Sequence, residues 1–199
     1  MRVNFLSLAK GEVSTTDEQR IALAIRALQE GSDPERVCRE LDWQEFEDIS
    51  MIALDSNGYR TTKHFIFKHG SKRWEIDLVG VGERLVLCID CKHWMYGWHR
   101  SRIASAARQQ IERTRALAAQ TSNVMEELKL PERAHLTFLP VLVTLADVAS
   151  RTTQNIPIVP ILRIRTFLSE LSNLVSPPFQ TFIGNATRLT GYFGDSSKT

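Results

Sequence analysis

Residues Trp74 to Trp94 read WEIDLVGVGERLVLCIDCKHW, and the division of this stretch decides the fold. Arg84 to Lys92 (RLVLCIDCK) carries an almost unbroken apolar run, the pattern of a strand covered on both faces. Arg73 to Val81 (RWEIDLVGV) reads as a second strand, and Gly82-Glu83 between them fits a tight hairpin turn. Side chains alternate faces along a strand. Glu75 and Asp77 are therefore expected on one face of their strand, and Asp90 and Lys92 on one face of theirs. Two charged residues end a buried strand, with an acid on its neighbour. Burying such groups is costly unless they pair or hold a cation. Cys88 and Cys91 form a CxxC spacing, but on a strand they face opposite sides, and no second pair stands at zinc spacing.

Working outward, Tyr59 to Phe67 reads as a further, irregular strand. Trp43 to Asn57 is an amphipathic helix with Trp43, Phe46, Ile49, Ile52 and Ala53 on its stripe, ended by Gly58. Before it, residues 17–30 form a helical stripe stopped by Gly31, and Pro34 opens a second short helix. Two helices around a Gly turn resemble half of a helix-turn-helix, and two simply packed helices are the plainer reading. On the other side, residues 100–127 read as one long helix, Leu136 to Leu145 as a strand covered on both faces, and Ile156 to Ile161 as a sheet edge or connection because of its two prolines. Arg165 to Leu174 closes with a helix. The expected fold is α/β, a mixed central sheet flanked by helices, behind a small helical N-terminal segment. The expected division is a helical segment at 1–42, a principal domain at 43–184 and a flexible tail at 185–199.

A chain of 199 residues with 43% hydrophobic and 24% charged residues suits one globular domain with a short appendage. No apolar run approaches the ~20 residues of a membrane span. The N-terminus lacks a signal peptide's apolar stretch, so a cytoplasmic location is expected. Three cysteines make no disulfide framework. The net charge of +2 says little about partners, but local charge says more. Residues 60–73 hold Arg60, Lys63, Lys68, Lys72 and Arg73 without an acid, and residues 100–115 hold Arg100, Arg102, Arg108, Arg113 and Arg115 against Glu112 alone. Taken alone they read equally as two solvated faces; their position on either side of the acidic strand ends favours a grip on a nucleic-acid backbone.

Two acids and a lysine on adjacent strands are the set that phosphodiester hydrolysis requires. Carboxylate oxygens suit Mg²⁺ or Mn²⁺, a bound cation polarises phosphate and activates water, and an ammonium offsets charge developing on the phosphate. The plain alternative is an ion pair of Lys92 with Asp77 or Asp90.

The order of these residues resembles the PD-(D/E)XK nuclease superfamily, closest to its Mrr-like restriction endonucleases and archaeal Holliday-junction resolvases. The matching positions are Phe46-Glu47, Gly58-Tyr59, Glu75-Ile76-Asp77 and Asp90-Cys91-Lys92, over roughly residues 43–170. The resemblance implies a restriction-endonuclease-like fold. It implies that Asp77, Asp90 and the Cys91 carbonyl bind metal, that Lys92 acts on the water, and that Glu47 reaches the site from its helix. Glu45 lies on a different side of that helix, so only one of the two is expected to point inward. Glu75 and the helix glutamines Gln109 and Gln110 are accessory candidates. Ile76 replaces the proline of the family's name, and Asp90 replaces the commoner Glu, shortening the ligand arm by one methylene.

The resulting expectation is a metal-dependent endonuclease acting on DNA, gripping it with Lys63, Lys72, Arg73, Arg100, Arg102 and Arg108, and working as a homodimer to cut two strands. His93 and His99 contact phosphate or stand near the metal in this reading, with surface or loop histidines the plainer one, and Trp94, Tyr96 and Trp98 stack bases or pack in the core or a lid. The alternative is a non-cleaving nucleic-acid-binding module that keeps the fold.

Overall fold

The computed structural model describes residues 7–9, 12–93, 100–132, 135–145, 151–174 and 179–186. A ribbon of β1 (Ser7–Ala9) and β2 (Glu12–Ser14) precedes helices α1 (Asp17–Gln29), α2 (Pro34–Arg39) and α3 (Trp43–Asp55). Strands β3 (Arg60–His69), β4 (Lys72–Val81) and β5 (Leu85–Lys92) form an antiparallel meander. Helices α4 (Arg100–Ala119) and α5 (Thr121–Val124) lead to β6 (His135–Thr144), β7 (Thr152–Thr153) and β8 (Ile156–Pro160). A 3₁₀ turn (Ile161–Arg163), α6 (Ile164–Leu174) and β9 (Phe182–Asn185) complete the described chain. The sheet order is β3-β4-β5-β6-β8-β7, with β9 also on β6. Strands β5, β6 and β8 run parallel, so the sheet is mixed and flanked by helices, with helices at the N-terminus. The β1–β2 ribbon is an addition that no sequence pattern announced.

Strand β5 is central because both its faces are apolar. Leu87, Ile89 and Cys91 pack with Phe46 and Leu54 of α3 and Leu168 and Leu171 of α6. Val86 and Cys88 pack on the other side with Leu117 of α4 and Phe138 of β6. Burying one such side chain stabilises by roughly 1.5–3 kcal/mol. A one-residue slip would exchange the two faces, so these contacts set the register.

The β3–β4 hairpin turns at Gly70-Ser71, where Gly70 takes φ +61°. Pairing then places residue 63 opposite 78 and 65 opposite 76, so His64 lies opposite Asp77. His64 has φ +49°, an uncommon conformation for any side-chain-bearing residue inside a strand. The alternation of faces breaks there. Leu78 packs on the α3 side, whereas Ile76, two residues away, packs on the α4 side with Phe65 and Phe67. This is the irregularity expected in the first strand, reduced to one residue.

Several expectations need correction. The helix expected at 100–127 ends at Ala119, because the Thr121 hydroxyl donates to the Ala118 carbonyl at 2.6 Å and competes with the next helical bond. Strand β8 is not an edge strand: β6 and the two-residue β7 flank it, and all five of its residues are buried. The β4–β5 connection spans residues 82–84, one more than a two-residue turn. Asn185, placed in the tail by composition, ends β9; residues 187–199 lie outside those described. Among the described residues no helix is long and apolar enough to cross a membrane.

Glu45 and Glu47 are both buried, at 1% and 0% exposure, which corrects the expectation that only one turns inward. They face different partners. The Glu45 carboxylate accepts from the Asp42 backbone N–H at 2.8 Å, closing a capping box on α3, and receives the Arg20 guanidinium of α1. It thereby ties the N-terminal helices to the sheet domain. Glu45→Ala should cost roughly 1–3 kcal/mol in chemical denaturation, the loss of a cap and a charge-assisted bond. A change within about 0.5 kcal/mol would show that the Glu45 carboxylate does not hold α1 in place.

Candidate active site

One step beyond the Leu78–Ile89 pair, Asp77 of β4 lies opposite Asp90 of β5. Asp77 Oδ2 accepts the Cys91 backbone N–H at 2.8 Å, which holds the carboxylate against the end of β5. The Asp90 side chain is 3% exposed and meets two cations. Lys92 Nζ stands 2.7 Å from Oδ2, and Arg113 Nη1 of α4 donates to Oδ1 at 2.7 Å. Asp90 is thus bracketed by two cations from different elements. Burial raises the Asp77 carboxyl above its ordinary value and Asp90 raises it further, against the opposing pull of the Cys91 N–H, Lys92 and Arg113.

Glu47 projects from α3 beside this pair. It is fully buried, and neither carboxylate oxygen accepts a hydrogen bond. His64 Nε2 lies 3.2 Å and Lys63 Nζ 3.9 Å from Oε2, close enough for electrostatic attraction only. Burial pushes the Glu47 carboxyl up to about 7; His64 and Lys63 pull it down, and nearby Asp77 adds to the rise. The His64 ring bridges two acids, since Nδ1 lies 3.3 Å from Glu75 Oε1. His64 holds this place with φ +49°, a conformation that costs roughly 1–3 kcal/mol.

The other predicted residues are dispersed. Lys63 pairs with Asp48 at the margin of the Glu47 pocket. Gln110 is buried, and its Nε2 donates to the Cys88 carbonyl at 2.7 Å, whereas Gln109 is exposed. Lys72 lies 3.5 Å over the Trp74 ring, and Lys68 and Arg73 are exposed beside it. By register Lys92 lines up with Glu75, so this basic hairpin tip projects beyond the end of β5 that bears the acids. Arg100, Arg102 and Arg108 are exposed along α4. Arg60 is engaged elsewhere, on the Leu128 and Lys129 carbonyls. His93 packs edge-on against Phe46, with ring centroids 5.9 Å apart. Trp94, Tyr96, Trp98 and His99 lie outside the described residues.

Sequence reasoning missed His64 and the inward turn of Arg113. The first was within reach, because a turn at Gly70-Ser71 pairs residues 64 and 77 by counting.

Among the described residues no group of three or more His, Cys, Asp and Glu side chains is gathered closely enough to hold a metal. The donors nevertheless fit a hard divalent cation in kind. Mg²⁺ takes one or two carboxylates and keeps several waters. Asp77 and Asp90 supply such a pair, and the unsatisfied Glu47 oxygens lie close to Asp77.

No family model matches the chain. Over 129 residues it is 33% identical to an uncharacterized protein of Archaeoglobus fulgidus, a match covering 65% of this chain and 91% of that protein. It is also similar to the crystal structure of a protein of unknown function, with a TM-score of 0.33 and 16% identity over 49% of this chain. The chain spans 44% of that protein, and a likeness this low carries no argument.

Glu47 makes a pH prediction. Its value of about 7 lies above the ordinary 4.5, so the folded chain keeps a proton that the unfolded chain releases. Stability should therefore fall as pH rises from 4.5 to 7, by roughly 3 kcal/mol at about 1.4 kcal/mol per unit. Glu47→Gln should remove that slope, stabilising the protein more at pH 8 than at pH 5. Denaturation curves that shift equally at both values would contradict a desolvated Glu47.

Proposed function

We propose that this chain, which belongs to one family with the uncharacterized Archaeoglobus fulgidus protein, is a divalent-metal-dependent endonuclease that hydrolyses phosphodiester bonds in DNA. One observation carries the reading. Asp77 and Asp90 face each other from register-paired strands, with the Lys92 ammonium on Asp90 and Glu47 unsatisfied beside Asp77. The PD-(D/E)XK resemblance of the Glu75-Ile76-Asp77 and Asp90-Cys91-Lys92 strands supports the same assignment.

Asp77, Asp90 and the Cys91 carbonyl would hold Mg²⁺ or Mn²⁺. When bound, such a cation polarises a phosphate oxygen and acidifies its water. Lys92 then orients the attacking water and offsets charge on the phosphate oxygens. Glu47, with a proton affinity near neutrality, takes up the proton the water loses. The basic tip of the β3–β4 hairpin and the exposed arginines of α4 grip the backbone, so binding weakens steeply with salt. Cutting both strands of a duplex or junction calls for a two-fold dimer. The reading places the enzyme in the cytoplasm, with its DNA.

The second reading is a nucleic-acid-binding module that does not cleave. It is favoured by the coverage of both Asp90 oxygens by cations.

Supercoiled plasmid and a four-way junction, each incubated with Mg²⁺, Mn²⁺ or EDTA, separate the two. The intact protein should nick or cut with metal only. Asp77→Ala and Lys92→Ala, checked for folding, should each lose on the order of 10²-fold or more. Binding without cleavage under every condition would select the second reading.

A further inference from the structure

Arg113 is the basic residue of α4 that turns into the site. Its side chain is 26% exposed, whereas Arg100, Arg102, Arg108 and Arg115 lie on the exposed surface of the helix. Its guanidinium neutralises the same buried carboxylate that the proposed cation would need. A divalent cation on Asp90 would take the carboxylate that holds Arg113. Arg113 would then give up its Asp90 partner in a place where an unpaired charge is expensive. A nucleic-acid backbone supplies one negative charge per phosphate, and a guanidinium fork matches phosphate with two parallel bonds.

Arg113 is also free to leave without undocking its helix. Gln110, one turn earlier, holds α4 to the sheet through its bond to the Cys88 carbonyl, and that bond is neutral and buried.

We infer that Arg113 is a charge exchanger: it holds Asp90 in the free protein and passes to a backbone phosphate when a divalent cation takes Asp90, so that cation and nucleic acid bind cooperatively. This rests on the reading of Asp77 and Asp90 as cation ligands. The cooperation is reciprocal, since each ligand must raise the affinity of the other by the same factor.

The test uses Ca²⁺ as the cation probe and a short fluorescein-labelled DNA duplex as the polyanion. Calorimetry gives the Ca²⁺ affinity with and without duplex, and anisotropy gives the duplex affinity with and without Ca²⁺. In the intact protein each ligand should tighten the other by about 5- to 150-fold. Arg113→Ala should bind Ca²⁺ severalfold more tightly in the absence of DNA, having lost a competitor. Its mutual enhancement should fall severalfold below the parent's, leaving the part that comes from the cation's own attraction for phosphate. These opposite movements distinguish exchange from a merely structural role, which would weaken both. Arg113→Lys keeps the charge without the fork; it should hold Ca²⁺ as the parent does and lose most of the enhancement. It also serves if Arg113→Ala does not fold. Weaker Ca²⁺ binding by Arg113→Ala, or an undiminished enhancement in both variants, overturns the exchange while leaving the metal site standing. An intact protein that binds no Ca²⁺, or one whose Ca²⁺ binding survives Asp77→Ala, overturns the metal site and the exchange with it.

Discussion

A carboxylate at the end of a strand covered on both faces must find its counter-charge inside the fold, and much of this structure is arranged around that need. Strand β5 is apolar on both sides up to Ile89, and its next residue is Asp90. Lys92 comes from the same strand and Arg113 from the helix packed on one face. Asp77 comes from the neighbouring strand and is held by the Cys91 N–H. A salt bridge at this depth is weak evidence for stability, because desolvation can exceed the Coulomb gain.

Helix α3 carries the same contrast within one turn. Glu45 and Glu47 are both buried, but Glu45 is satisfied by a backbone N–H and an arginine, whereas Glu47 has only nearby charges. The first closes the helix start and joins the N-terminal helices to the sheet. The second keeps its proton to about neutral pH and leans on the acidic pair. Identical side chains two positions apart thus do structural and electrostatic work according to what each side of the helix meets.

The central layer was legible because its signals are local and redundant. The run from Leu85 to Ile89 and the Gly82 break each point to a paired, buried β5, and Asp90 and Lys92 follow from it, with Asp77 on the strand before. The end of α4 was not legible, because a hydroxyl at Thr121 competing for one carbonyl leaves no mark on a stripe of apolar residues. Arg113 read as one more member of a basic helix face, since nothing in a charge run says which member turns inward. His64 was hidden differently. Its positive φ breaks the alternation on which strand reading relies, so Ile76 and Leu78 share a parity and face opposite layers.

That break at His64 bears on what changes the hairpin can accept. The partner of Asp77 is fixed by counting from Gly70-Ser71, several residues away. Exchanging residues at the exposed tip leaves the count intact. Inserting or deleting one residue there would move His64 off Asp77 and bring Lys63 or Phe65 into its place. The tip is therefore open to variation in composition and closed to variation in length, a constraint imposed on a surface loop by a half-buried acid it never touches.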